Sequence, residues 1–90
     1  MFSVYALYSK TFNKIYIGQT EDLARRLFEH NNGLLLGYTK KFKPWEVIYT
    51  EKCSTRREAL VREKQLKSQK GREFIWRIVN EKGLQVRSVS

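Results

Sequence analysis

Two short segments of β character stand at the head of the chain, separated by five residues, and they limit its folds more than any other feature. Phe2 to Tyr8 reads Phe-Ser-Val-Tyr-Ala-Leu-Tyr, and Lys14 to Gly18 reads Lys-Ile-Tyr-Ile-Gly. Aromatic and β-branched side chains at this density favour strands. The link Ser9-Lys10-Thr11-Phe12-Asn13 is short and polar, so the two segments are predicted to pair as a hairpin. An isolated hairpin is marginal in water. This one needs a further strand and helices to cover it, and the rest of the chain must supply them.

Helical spacing begins near Glu21, with Thr20 and Asp22 as candidate caps and Leu23, Leu27 and Phe28 on the apolar side. Asn31-Asn32-Gly33 ends that helix with residues that tolerate positive φ. Residues 33–44 read as a long irregular connection. After Pro44 the spacing predicts a strand over Trp45 to Lys52, with Cys53 at its end as a small apolar residue. Thr55-Arg56-Arg57-Glu58 is a capping box that opens a second helix, running to about Ser68. Gly71 is expected to break it, and Phe74, Ile75, Ile78 and Val79 predict a third helix over Arg72 to Glu81. Gly83 to Ser90 reads as a ragged tail or an edge strand. The order β-β-α-β-α-α makes an α+β domain over residues 1–82, with a tail over 83–90.

Charge narrows the partners. Eighteen Lys plus Arg against nine Asp plus Glu leave +9 on 90 residues. A small domain so charged repels itself, and a polyanion relieves the repulsion. Nucleic acid is the first candidate, an anionic membrane surface the second, and an inert basic surface the third. A membrane span is not expected, because no apolar run approaches the length of about 18 residues that a span needs. The first residues lack the basic region and cleavage site of a signal peptide, and Cys53 has no partner for a disulfide, so the expected compartment is the cytoplasm. One Cys and one His cannot build a four-ligand zinc site.

Some residues sit awkwardly for a plain core. On a helical wheel at ~100° per residue Glu63 falls about 40° from Ala59, inside the apolar face. A carboxylate there must be paired, protonated or bound to a cation. Either a neighbouring Arg pairs with it, or it is a divalent-metal ligand or a general base. On the first helix Arg26 and His30 share one shoulder of the apolar face, while Arg25 and Glu29 point towards solvent. An inward Arg carries a fork of donors suited to phosphate, although a structural bridge to Glu63 would also explain it. Tyr5 and Tyr16 lie near the centres of the two strands. Strand aromatics are usually packing, yet here they keep company with Arg26, His30 and Glu63.

Taken together, Ser3-Val4-Tyr5, Tyr16-Ile17-Gly18, Arg26-Leu27-x-x-His30 and Glu63 resemble the GIY-YIG nuclease superfamily. The likeness covers residues 2–80 and is nearest to small stand-alone bacterial members, through Tyr16-Ile17-Gly18-Gln19-Thr20-Glu21-Asp22-Leu23-Ala24-Arg25-Arg26 and Glu58-Ala59-Leu60-Val61-Arg62-Glu63. It also extends to the N-terminal nuclease domain found in excision-repair nucleases. The resemblance implies a three-stranded antiparallel sheet flanked by helices. It implies that Tyr5 and Tyr16 are the tyrosines of the two motifs, Arg26 the catalytic arginine, His30 a site histidine and Glu63 the metal-binding glutamate. Ser3 replaces the glycine of the first motif, and the candidate for a downstream site asparagine is Asn80, at a long spacing from Glu63.

The implied reaction is metal-dependent hydrolysis of phosphodiester bonds in DNA, structure-selective or weakly specific, in a setting of DNA repair or recombination; RNA stays open as a substrate. One Mg²⁺ or Mn²⁺ on Glu63 would serve as the cofactor. Arg26 would hold the scissile phosphate, and either Tyr5 or His30 would be the base. A tyrosine can play that part only if positive charge lowers its pKa from about 10. Lys40, Lys41, Lys43, Arg56, Lys67 and Lys70 are candidate backbone contacts. With no recognition helix or zinc finger in view, further specificity is expected from a protein partner or a second copy. The alternatives are a catalytically weak or inactive nucleic-acid-binding module of the same fold, and a basic protein–protein adaptor.

Overall fold

The computed structural model describes residues 1–34 and 37–83. Its order is β1 (Phe2–Ser9), β2 (Lys14–Thr20), α1 (Leu23–Asn31), α2 (Tyr38–Lys41), β3 (Glu46–Cys53), α3 (Arg56–Lys67) and α4 (Gln69–Glu81). The strands form one antiparallel sheet in the order β2-β1-β3, so the first strand of the chain lies at its centre. The hairpin forms as predicted. Tyr8 donates its hydroxyl hydrogen to Asn13 Oδ1 at 2.8 Å across the turn.

Strand alternation sends the side chains of β1 to two cores. Val4, Ala6 and Tyr8 join Ile15, Ile17 and Ile48 beneath α3 and α4, where Ala59, Leu66, Ile75 and Val79 meet them. Tyr5 and Leu7 face the other way, towards Tyr16, Leu23, Leu27, Phe42 and Trp45. A register shift between Ala6 and Leu7 in the pairing with β3 keeps Ile48 and Tyr49 on the first of these faces. Trp45, just before β3, is tied by its backbone to both ends of the Asn31 amide and by its indole N–H to the Thr39 carbonyl at 2.8 Å.

Three boundaries differ from the sequence reading. The connection read as irregular contains the helical turn α2, which docks through Tyr38 and Phe42 onto neighbouring rings. Helix α1 starts at Leu23 because Asp22 is the cap, its Oδ1 accepting from Arg25 N at 3.1 Å. The break between α3 and α4 falls at Ser68, which caps both helices, and Gly71 lies inside the first turn of α4. A Cβ on Gly71 would stand 2.3 Å from the Gln65 carbonyl oxygen and 2.4 Å from Leu66 Cα. Glycine is present there because two backbones cross, and not to stop a helix. Cys53 ends β3 as a buried residue, as expected. The predicted tail beyond Gly83 lies outside the described residues.

Candidate active site

Tyr5 projects from the central strand and is 2% exposed. Its ring crosses the neighbouring strand at Gly18, its partner in register. A Cβ at Gly18 would come within 2.7 Å of the Tyr5 oxygen and 3.1 Å of the Tyr16 ring. The absence of a side chain at residue 18 is therefore what lets the phenol lie over β2. There the Tyr5 oxygen meets His30 Nε2 at 3.1 Å. Tyr16, one pleat along β2, has its ring centre 5.0 Å from that of His30 and 6.4 Å from that of Tyr5. His30 Nδ1 is buried without a hydrogen-bond partner among the described residues.

Burial pushes the Tyr5 phenol well above the ordinary tyrosine range. The charges of Tyr16, Glu63 and Glu29 push the same way, and Arg26 alone pulls against them. The condition for Tyr5 to act as the base, a pKa lowered by positive charge, is not met: desolvation outweighs one guanidinium. Burial also lowers the pKa of His30, helped by Arg26 and opposed by Glu29. A neutral imidazole next to a protonated phenol follows, and Nε2 can accept the phenolic hydrogen.

Arg26 and Glu63 approach this pair from two helices. Neither forms the bridge considered above. Arg26, 40% exposed, lies 3.5 Å from Glu29, which also pairs with Arg25 at 3.6 Å. The helical wheel turns Glu29 towards solvent, yet its side chain is 22% exposed and lies in a cleft wall shared with the two arginines and β2; Phe28, expected on the apolar side, is 60% exposed. Glu63, 19% exposed, is bound at 2.6 Å by Lys67, one turn along its own helix. The partner is a lysine, where the pairing alternative weighed for Glu63 named an arginine.

Two clefts flank the cluster along β2. One, of about 550 Å³, brings Arg56 opposite Arg25 and Arg26, with Gln19 and Glu29 in its wall. The other, of about 510 Å³, is lined by Lys14, Tyr16, Tyr38, Lys67 and Arg72. Arg56 near the end of β2 and Lys67 near its start show that α3 runs antiparallel to that strand, with Glu63 between the clefts. Of the proposed backbone contacts, Arg56 and Lys67 line these clefts. Lys40, Lys41, Lys43 and Lys70 are exposed and line neither. Asn80 is exposed near the end of α4, which packs against β3 at the far edge of the sheet; the structure does not bring it to the cluster. Sequence reasoning missed Lys14, Tyr38 and Arg72. The available signal was Gly37-Tyr38-Thr39-Lys40-Lys41-Phe42, an aromatic and basic run inside the supposed loop.

No group of three or more His, Cys, Asp or Glu side chains among the described residues could hold a metal ion. That donor set still fits Mg²⁺ or Mn²⁺, which bind through one carboxylate when waters and a substrate phosphate complete the shell. Glu63 would be the carboxylate.

Residues 1–77 match the GIY-YIG catalytic domain. The chain belongs to the GIY-YIG family. GIY-YIG domains form a nuclease family. The curated relatives include an UPF0213 protein of Staphylococcus saprophyticus, 39% identical over 54 residues, which are 60% of this chain and 66% of that one. UPF0213 protein YazA of Bacillus subtilis is 46% identical over 48 residues, 53% of this chain and 48% of its own. An UPF0213 protein of Listeria monocytogenes is 49% identical over 47 residues, 52% of each chain. The matches thus span about half to two thirds of these relatives. No solved structure matches. Among the described residues of this GIY-YIG chain, no helix is long and apolar enough to cross a membrane.

Proposed function

We propose that this GIY-YIG chain is a divalent-metal-dependent endonuclease that hydrolyses phosphodiester bonds in DNA. The observation that carries the reading is the buried Tyr5–His30 hydrogen bond within the fields of Arg26 and Glu63. Arg26 would bind the scissile phosphate and stabilise the charge that grows on it in the transition state. A water attacking phosphorus must lose a proton. Tyr5 is protonated, so it serves as a relay: it takes the water's proton on its oxygen as its own moves to His30 Nε2. Burial keeps the imidazole neutral, and with its hydrogen on Nδ1 the Nε2 atom can accept. Tyr16 would orient the water or a phosphate oxygen. A Mg²⁺ or Mn²⁺ held by Glu63 would supply Lewis-acid stabilisation of the leaving 3′-oxygen.

The test is cleavage of end-labelled duplex, nicked, flapped, branched and single-stranded DNA with Mg²⁺ or Mn²⁺, with Glu63→Ala beside the wild type. Cutting that vanishes in the variant is expected. Equal cutting by both would overturn the assignment of Glu63. One observation favours a second reading. Lys67 occupies Glu63 and Glu29 occupies Arg26, as in a binding module whose reactive groups are idle. In that case both proteins bind DNA and neither cuts.

A further inference from the structure

The cleft beside Tyr16 holds a feature that catalysis does not use. Tyr38 is 45% exposed, yet its ring is fixed. It lies stacked on Tyr16, with centres 6.4 Å apart and planes at 29°, and beside Trp45 at 5.9 Å and 31°. Phe42 meets it edge-on at 4.9 Å. The hydroxyl donates to the Ile15 carbonyl on β2 at 3.3 Å. Three rings and a hydrogen bond hold a side chain that remains nearly half open to solvent.

The surroundings of the ring identify what would cover it. Lys14, Lys67 and Arg72 line the same cleft, and Arg72 is close enough for its charge to act on the phenol. Among the described residues that line it there is no carboxylate. A rigid ring bordered by cations suits a nucleotide, with the base over the ring and phosphates on the cations. The bases of an intact duplex are already stacked on one another. Only an unpaired base gains from a solitary ring. Tyr16 belongs both to this cleft and to the catalytic cluster, so a strand seated here would lead along β2 towards Arg26 in the other cleft.

We propose that Tyr38 is a base-stacking platform for an unpaired nucleotide flanking the cut, with Lys14, Lys67 and Arg72 holding its phosphates. The assignment rests on the nucleic-acid reading above and adds that the strand entering the site is single.

The test measures binding without cleavage. Fluorescent single-stranded DNA, RNA of the same sequence, duplex DNA and a single strand carrying abasic residues are titrated by anisotropy in EDTA, against wild type, Tyr38→Ala and Tyr38→Phe. Stacking on an aromatic side chain predicts that Tyr38→Ala weakens single-strand binding about 5- to 100-fold while Tyr38→Phe stays within about threefold of wild type. Duplex binding should be almost unmoved, and the abasic strand should bind wild type and Tyr38→Ala alike. The loss falls on DNA, on RNA or on both, according to which strand the cleft accepts. Undiminished single-strand binding by Tyr38→Ala would overturn the proposal. So would an equal loss on duplex, or a Phe variant as weak as the Ala variant, which would point to the Ile15 hydrogen bond and a structural role. A wild type that binds no single strand would also overturn it. If the platform behaves as expected in EDTA and no DNA is cut with Mg²⁺ or Mn²⁺, the nuclease reading falls and the stacking subsite stands. If DNA is cut and Tyr38→Ala is indistinguishable from wild type, the reverse holds.

Discussion

At residue 18, hydrogen in place of a methyl group decides where Tyr5 can lie. Gly18→Ala places a carbon 2.7 Å from the phenol oxygen, closer than non-bonded contact allows. The phenol must swing away and break its bond to His30, since β2 cannot yield without losing its pairing to β1. We expect a loss of about 1–3 kcal/mol in urea unfolding, as for other overpacked sites, and loss of the proposed cleavage. His30 makes a second prediction. Its pKa is lowered in the fold, so between that value and the unfolded value of about 6.5 the unfolded chain binds more protons. Stability therefore rises with pH through that window and levels off above it. His30→Gln should remove this part of the slope, which denaturant melts at several pH values would read. The residue types of the site were legible because Glu63, Arg26 and His30 fall on helix faces meant for apolar side chains. The place of Glu29 was not, because the cleft wall that partly covers it is built from residues distant in sequence, among them Gln19 and Arg56.

Elements were more legible than their joints. The hairpin, the third strand and the capping of α3 by Thr55, which accepts from Glu58 N at 3.1 Å, follow from local chemistry. The α3–α4 joint does not. Ser68 caps α4 by accepting from Gly71 N at 3.3 Å, and Gly71 then passes against the last turn of α3. A glycine needed for a crossing looks, in sequence, like a glycine that ends a helix. Gly71→Ala should therefore be among the costliest substitutions on α4, at about 1–3 kcal/mol or more, because the Cβ meets backbone that cannot rotate away. An alanine elsewhere in an exposed helix would instead stabilise slightly relative to glycine. Thermal or urea melts of the single variant decide between the two. Helix α2 was missed for a related reason. Four residues carry too little periodicity to detect, and rings distant in sequence hold the turn in place.

Across the whole molecule, the sheet order β2-β1-β3 puts the hairpin at one side, and α1 and α3 reach its β2 strand from opposite faces. This is how five residues scattered from Tyr5 to Glu63 come to share one region on a chain of 90. The net charge of +9 has a reading at the same scale. If about five cations contact phosphates, log K for duplex DNA should fall against log salt with a slope of about −4.5. Titrations at several salt concentrations measure it, and a flat line would favour the adaptor reading.

The Lys67–Glu63 contact ties two binding events together. While the ammonium group sits on the carboxylate, a cation must displace it to reach Glu63. A phosphate in the Tyr38 cleft offers Lys67 another anion and leaves the carboxylate free. On the proposed reading, the free protein should therefore bind Mg²⁺ weakly and the DNA-bound protein more tightly. Linkage makes the effect reciprocal, so the cation must tighten DNA by the same factor. Lys67→Met should shrink that factor in calorimetric titrations made in either order, by tightening Mg²⁺ on the free protein and leaving only the share that the substrate phosphate supplies as a ligand. Nucleic acid would then be its own gatekeeper, arming the metal site by competing for a single lysine.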